Sequence, residues 1–228
     1  MTKRRQPAEM RALRRAYRLM LARFGHQNWW PGETPFEVCI GAILTQNTSW
    51  TNVERALVNL KTAGLLDASK MIGLRETRLA QLIRPAGYFN VKARRVRSFL
   101  RVLIQEFGGS LDRLFAGEVG IVRARLLAIN GIGPETADCM LLYAGGHHRF
   151  VIDAYTKRIF QRHHWGLPAV DYQQMQHLCE TSLCERDGVD RLDYWQDFHA
   201  QLVMVGKHFC RSRDPRCAEC PLKPLLPR

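Results

Sequence analysis

Apolar residues recur at steps of three and four along almost the whole chain, and that spacing restricts it to helices packed on helices. Met10, Leu13, Tyr17, Met20, Leu21 and Phe24 form one stripe, with Gly25 as its stop. Val96, Phe99, Leu100, Leu103, Ile104 and Phe107 form a second, ended by Gly108-Gly109, and Leu192, Trp195, Phe198 and Leu202 form a third. Each stripe reads as core packing. Thr34-Pro35-Phe36-Glu37 opens a further helix with a capping hydroxyl, a proline at the first helical position and a glutamate three residues after the cap. The best strand signal, Phe150-Val151-Ile152, is short. The expected fold class is all-α.

Composition narrows what such a bundle of helices meets. Lys and Arg number 34 against 21 Asp and Glu over 228 residues, a net charge of +13, and the pI is near 9.9. A polyanion is the expected partner, and nucleic acid leads over an acidic membrane because the charge is spread along the chain. No run approaches the roughly eighteen apolar residues that a membrane-spanning helix needs. The Arg-rich opening segment lacks the apolar stretch of a secretory signal, so an intracellular, cytoplasmic location is expected. In that compartment the seven cysteines read as thiols or metal ligands rather than disulfides. Cys39, Cys139, Cys179 and Cys184 sit in apolar helical surroundings and read as core, while the pairs His147-His148 and His163-His164 read as loop or surface residues.

One segment carries function. From Leu126 to Ala137 the chain runs from one apolar helix into another through Gly131-Ile132-Gly133. Two glycines around an aliphatic residue permit a tight hairpin, and the aliphatic side chain plugs the corner. The first amides of the following helix are then left unpaired at the positive end of its dipole, which makes a phosphate seat. A plain helix–turn–helix corner is the blander possibility, and in a chain of charge +13 the DNA-backbone reading is preferred. Twenty residues past Gly133, Val151-Ile152-Asp153-Ala154-Tyr155 places a carboxylate ahead of a segment rich in Lys157, Arg158 and Arg162. Capping that helix and facing a ligand are compatible tasks for Asp153.

Together these segments resemble the endonuclease III branch of the helix–hairpin–helix DNA glycosylase superfamily. Gly41-Ala42-Ile43-Leu44-Thr45-Gln46-Asn47-Thr48, Gly87-Tyr88-Phe89-Asn90-Val91-Lys92-Ala93 and the spacing of Cys210, Cys217 and Cys220 agree with it, and the likeness runs over about residues 8–226. It implies a two-lobed fold: a six-helix barrel over 34–145 with the hairpin at about 125–140, and a second helical lobe from 1–33 and 146–228 that ends in a cysteine loop, 207–226. Double-stranded DNA with a damaged base is the implied partner, bound by a monomer across the cleft. Gln46 and Asn47, the hairpin residues Gly131, Gly133 and Thr136, and the basic pair Lys157 and Arg158 are its expected DNA contacts, and Asp153 is the expected catalytic carboxylate.

Two departures stand out. Bifunctional members of the superfamily carry a lysine two residues after the second hairpin glycine, whose amine attacks C1′ of the sugar; here that position is Glu135. A carboxylate forms no imine, so the expected enzyme is monofunctional. The wording around the hairpin and Asp153 is most similar to 3-methyladenine DNA glycosylases of the third type, which implies an alkylated purine as substrate. Trp29-Trp30-Pro31 adds aromatic surface, and Trp30 is the candidate for the base pocket, level with a core role. A glycosylase for oxidised, deaminated or mispaired bases and a non-catalytic DNA-binding protein are the alternatives. In the cysteine loop, three of four cluster ligands are present and the fourth position is Leu226. A [4Fe–4S] cluster on three thiolates is the favoured reading; zinc with His208, or no metal, are the others.

Overall fold

The structure, a computed structural model, describes residues 8–29, 32–166, 171–183 and 191–227. The chain divides into two compact units, Trp30–His147 on one side and Met1–Trp29 with His148–Arg228 on the other. Among the described residues every regular element is helical.

The Trp30–His147 unit holds α2 (Pro35–Leu44), α3 (Trp50–Thr62), α4 (Ala68–Ile72), α5 (Glu76–Leu82), α6 (Phe89–Phe107), α7 (Leu111–Phe115), α8 (Val119–Ala128) and α9 (Pro134–Tyr143), with a 3₁₀ turn at Arg84–Ala86. The expected start of α2 is present: Thr34 Oγ1 accepts from the Glu37 amide at 3.1 Å, and Pro35 follows the cap. Glu37 accepts in turn from the Glu33 amide and pairs with Lys61 at 2.9 Å, so the chain entering the unit is fixed from two sides. The apolar stripe of α6 is buried at Val96, Phe99, Leu100 and Leu103 against neighbours that include α4 and α5. The middle of α2 is apolar all round and accordingly buried on every face, from Val38 to Leu44.

One polar side chain lies inside this core. Lys92 is almost completely buried, and its ammonium donates to the carbonyls of Leu44 (2.8 Å) and Ala86 (2.7 Å), tying the last residue of α2 to the 3₁₀ turn. Burial, helped by the nearby charge of Arg95, pulls its pKa down to about 8. A neutral amine still has two N–H groups, enough for both carbonyls. Between about pH 8 and the unfolded value near 10.4, the unfolded chain binds the proton that the native one has lost, so stability conferred through Lys92 rises with pH there. Lys92→Met should therefore destabilise at pH 7 by about 2 kcal/mol, because two buried carbonyls lose their donor. The gap to the wild type should widen between pH 8 and pH 10 by up to about 3 kcal/mol. Urea unfolding of both proteins at the two pH values measures this, and a gap that closes with pH would contradict it.

The other unit comprises α1 (Ala8–Phe24), α10 (Ala154–His163), α11 (Tyr172–Leu183) and α12 (Arg191–His208), with a 3₁₀ turn at Lys223–Leu225. Helices α1 and α10 both pack on α12. Tyr17 sits edge-on to Tyr194, with ring centroids 4.6 Å apart, and donates to the buried Asp197 at 2.8 Å. Asp197 also accepts from the Gln27 amide at 2.7 Å. The expected strand at Phe150-Val151-Ile152 is extended but pairs with no other strand among the described residues. Side chains of α11 take the place of a neighbouring strand: Glu180 accepts from the Phe150 amide (3.1 Å) and Gln176 donates to its carbonyl (2.6 Å). The run is apolar because it is buried.

Candidate nucleic-acid interface and active site

Helices α8 and α9 meet at the expected hairpin. Ile129 and Ile132 are buried and fill its corner, and the Ile132 amide closes the turn on the Ile129 carbonyl at 3.0 Å. Behind the corner, Asp138 of α9 is fully buried and takes both Nε (2.7 Å) and Nη2 (3.1 Å) of Arg123 from α8. This two-point contact fixes the pitch of one helix against the other. Gly133 caps α9 with no side chain at its amides, and Gly133, Pro134 and Glu135 are exposed. The start of α9 is thus at the surface without a capping side chain.

The two hairpin glycines differ in what they require. Gly133 has φ of −95° and open space where a Cβ would stand, so the protein itself does not demand glycine there. Gly131 does: its φ is +91°, and a Cβ would lie 2.3 Å from Cγ of Arg95. Arg95 packs over Gly131 and hydrogen-bonds Oε1 of Gln46, whose amide nitrogen donates to the Gly131 carbonyl (2.9 Å) and to Thr136 Oγ1 (2.9 Å). Gln46 is therefore half-buried beneath the hairpin, and the buried Thr136 holds it. Asn47, at φ +54°, is the exposed member of that pair. Gly131→Ala should cost about 2 kcal/mol from the left-handed backbone and the displaced arginine. It should also weaken duplex binding by unseating Gln46. Gly133→Ala should stay within about 0.5 kcal/mol of wild type, so an affinity loss in that variant would report the approach of a phosphate alone. Urea unfolding and fluorescence anisotropy on both variants separate the two roles. Equal stability of the two would sink the assignment.

Asp153 caps α10. Its Oδ1 accepts from the Thr156 amide at 2.7 Å, and Oδ2 lies 3.8 Å from Nε2 of His199, a buried residue of α12. Burial holds His199 below the ordinary imidazole range, although the Asp153 charge pushes the other way, so the ring is neutral near pH 7. Tyr155 packs against α12 at Gly206, where a Cβ would stand 2.3 Å from the phenol ring. The close approach of α10 and α12 thus depends on that glycine.

The cysteine loop folds on the far end of α10. Arg158 Nε donates to the Cys210 carbonyl (2.6 Å), and Arg162 donates to the Arg211 carbonyl (2.7 Å) and to Cys210 Sγ (3.3 Å). The Arg216 amide returns to the Phe209 carbonyl (2.9 Å) and the Cys220 amide to that of Cys217 (3.3 Å), which gathers the three cysteines. They line a cavity of about 20 Å³ together with His163 and Leu226.

The family described as "HhH-GPD superfamily base excision DNA repair protein" matches residues 40–184. A protein of Methanocaldococcus jannaschii, itself provisionally assigned as a DNA repair glycosylase, is 43% identical over 208 residues, covering 91% of this chain and 92% of its own. The chain belongs to the HhH-GPD superfamily. Endonuclease III of Bacillus subtilis is 26% identical over 195 residues, 84% of this chain and 80% of the relative. The crystal structure of Helicobacter pylori 3-methyladenine DNA glycosylase bound to 1,N6-ethenoadenine is similar with a TM-score of 0.75 at 27% identity, covering 87% of this chain and 97% of that one. A non-covalent endonuclease III–DNA complex matches the fold with a TM-score of 0.79 at 20% identity, over 95% and 94% of the two chains. The all-α class expected from the sequence is that of these HhH-GPD structures.

Within this HhH-GPD chain the expected site residues separate into groups. Gln46, Gly131 and Thr136 form one hydrogen-bonded cluster, with Gly133 and Glu135 exposed beside it. Of the basic pair, Lys157 stands over the Tyr172 ring at 5.4 Å, while the half-buried Arg158 is committed through Nε to the cysteine loop rather than left to solvent. Trp30 and Cys184 lie outside the described residues; Cys39, Cys139 and Cys179 are buried, as core cysteines should be. Two residues were missed. His163, expected at the surface, is buried, and His199 attracted no expectation. A signal existed for each: Thr156, Ile159, Phe160 and His163 share one face of α10, and His199 stands four residues after Trp195 and three before Leu202, both buried on α12. No helix of the described residues is long and apolar enough to cross a membrane.

Proposed function

We propose that this chain is a monofunctional DNA glycosylase that hydrolyses the N-glycosidic bond of a damaged base, an alkylated purine, in double-stranded DNA. The observation that carries the reading is Glu135, an exposed carboxylate in the first turn of the hairpin helix, where bifunctional relatives place a nucleophilic amine. Asp153 supplies the charge. As the base departs, the sugar takes on oxocarbenium character, and a fixed carboxylate held by the Thr156 amide stabilises that charge and orients the attacking water. A purine nucleoside methylated at N3 is already cationic and loses its base without a strong general acid, which suits a site in which Asp153 is the assigned acid–base group. The similarity to the Helicobacter pylori 3-methyladenine enzyme supports the substrate class. A single chain suffices for this chemistry, and a monomer on duplex DNA is the working form.

A panel of duplexes, each with one lesion, tests the reading. Duplexes with 3-methyladenine or 1,N6-ethenoadenine should yield abasic sites that break only after alkali, and oxidised-pyrimidine or mispaired duplexes should remain intact. Excision confined to oxidised pyrimidines or mispairs would replace the substrate assignment. Binding without excision across the panel would leave a non-catalytic clamp.

A further inference from the structure

The cysteine loop does not fit a four-iron cubane. Three thiols line the cavity, and Leu226 brings an apolar side chain to the position of the fourth ligand. His208 does not complete the set either, because it is exposed and does not line the cavity. His163 does line it. Its Nδ1 lies 3.1 Å from the Leu225 carbonyl, and since a carbonyl only accepts, the proton is on Nδ1 and the lone pair on Nε2. A ring nitrogen tethered to a backbone carbonyl is the usual way a metal-binding histidine has its other nitrogen oriented.

We propose that His163, Cys210, Cys217 and Cys220 form a four-donor site for a single thiophilic divalent ion, zinc by its chemistry. Three thiolates and one imidazole are a tetrahedral structural set for zinc. His163 is also the last residue of α10, where the negative end of the helix dipole favours a cation. Arg162 donates to Cys210 Sγ at 3.3 Å and holds the loop against α10. Among the described residues no three such side chains already converge at coordination distance, so binding must draw the exposed Cys217 inward. The ion thereby clamps the loop onto α10, the helix that Asp153 caps at its other end.

Metal analysis and cobalt titration test the site. Protein purified without added metal should hold about one zinc and no stoichiometric iron per chain. Co(II) should give sulfur-to-cobalt charge-transfer bands and tetrahedral visible absorption, and zinc should slow tryptic cleavage of the loop. His163→Ala should weaken Co(II) and Zn(II) binding at least about tenfold, His208→Ala should leave it unchanged, and His163→Cys should restore binding with a four-thiolate spectrum. Circular dichroism identifies a His163→Ala chain that has not folded, and His163→Cys then decides alone. Brown wild-type protein with about four irons per chain, wild-type protein that takes up neither ion, wild-type affinity in His163→Ala, or unaltered three-thiolate bands in His163→Cys would each overturn the proposal.

Discussion

Asp153→Asn should slow single-turnover release of the base by at least about 10²–10³-fold while binding to the lesion duplex persists. The substitution is informative because it separates two tasks of one residue. Asn is as good an N-cap as Asp, so the bond from the Thr156 amide at 2.7 Å can be kept and α10 should start as before. Only the negative charge is lost, and charge is what a developing oxocarbenium ion requires. His199 cannot supply a substitute: burial keeps it neutral, and its contact with Oδ2, at 3.8 Å, is to the lost charge itself. Asp153→Ala should show the same kinetic defect with a further stability loss of about 1 kcal/mol from the missing cap. Rapid-quench assays with enzyme in excess report the rate, and anisotropy reports binding. Excision by Asp153→Asn at the wild-type rate would move the chemistry to another residue.

What was legible before the structure follows from the range over which each signal acts. The stripes of α1, α6 and α12 and the capped start of α2 are local: period 3.6 and a Thr-Pro-x-Glu step are written in adjacent residues. The hairpin is local too, since two glycines around Ile132 leave little choice of shape. The partners of these elements were not legible. Gln46 meets Gly131 and Thr136 across some ninety positions of chain, and His163 meets the Leu225 carbonyl across about sixty. No periodicity encodes such meetings. The distinction between Gly131 and Gly133 was hidden for the same reason, because the side chain that excludes a Cβ belongs to Arg95 on another helix. Phe150-Val151-Ile152 misled in a different way: a short buried apolar run looks the same whether strands or the side chains of Gln176 and Glu180 satisfy its backbone.

Duplex treated with the wild-type enzyme should run uncut on a denaturing gel until alkali or heat is applied, and borohydride should trap no covalent complex. Both results follow from Glu135, whose carboxylate cannot condense with C1′ of the abasic sugar to give an imine. The position itself suits a nucleophile. It is exposed in the first turn of α9, next to amides that no side chain caps. Glu135→Lys should therefore confer a gain of function: a borohydride-trappable adduct and slow strand cleavage without alkali. The positive end of the α9 dipole works in favour of this, since it lowers the pKa of a lysine placed there and raises the fraction of free amine. It also works against the fold by up to about 1 kcal/mol, because a cation at a helix N-terminus is unfavourable. Glu135→Gln separates the two consequences, removing the acid without adding an amine, and should give neither adduct nor cleavage. A strong adduct with unaltered protein would end the monofunctional reading. Lys157, in the first turn of the helix that Asp153 caps, would then be the first nucleophile to replace.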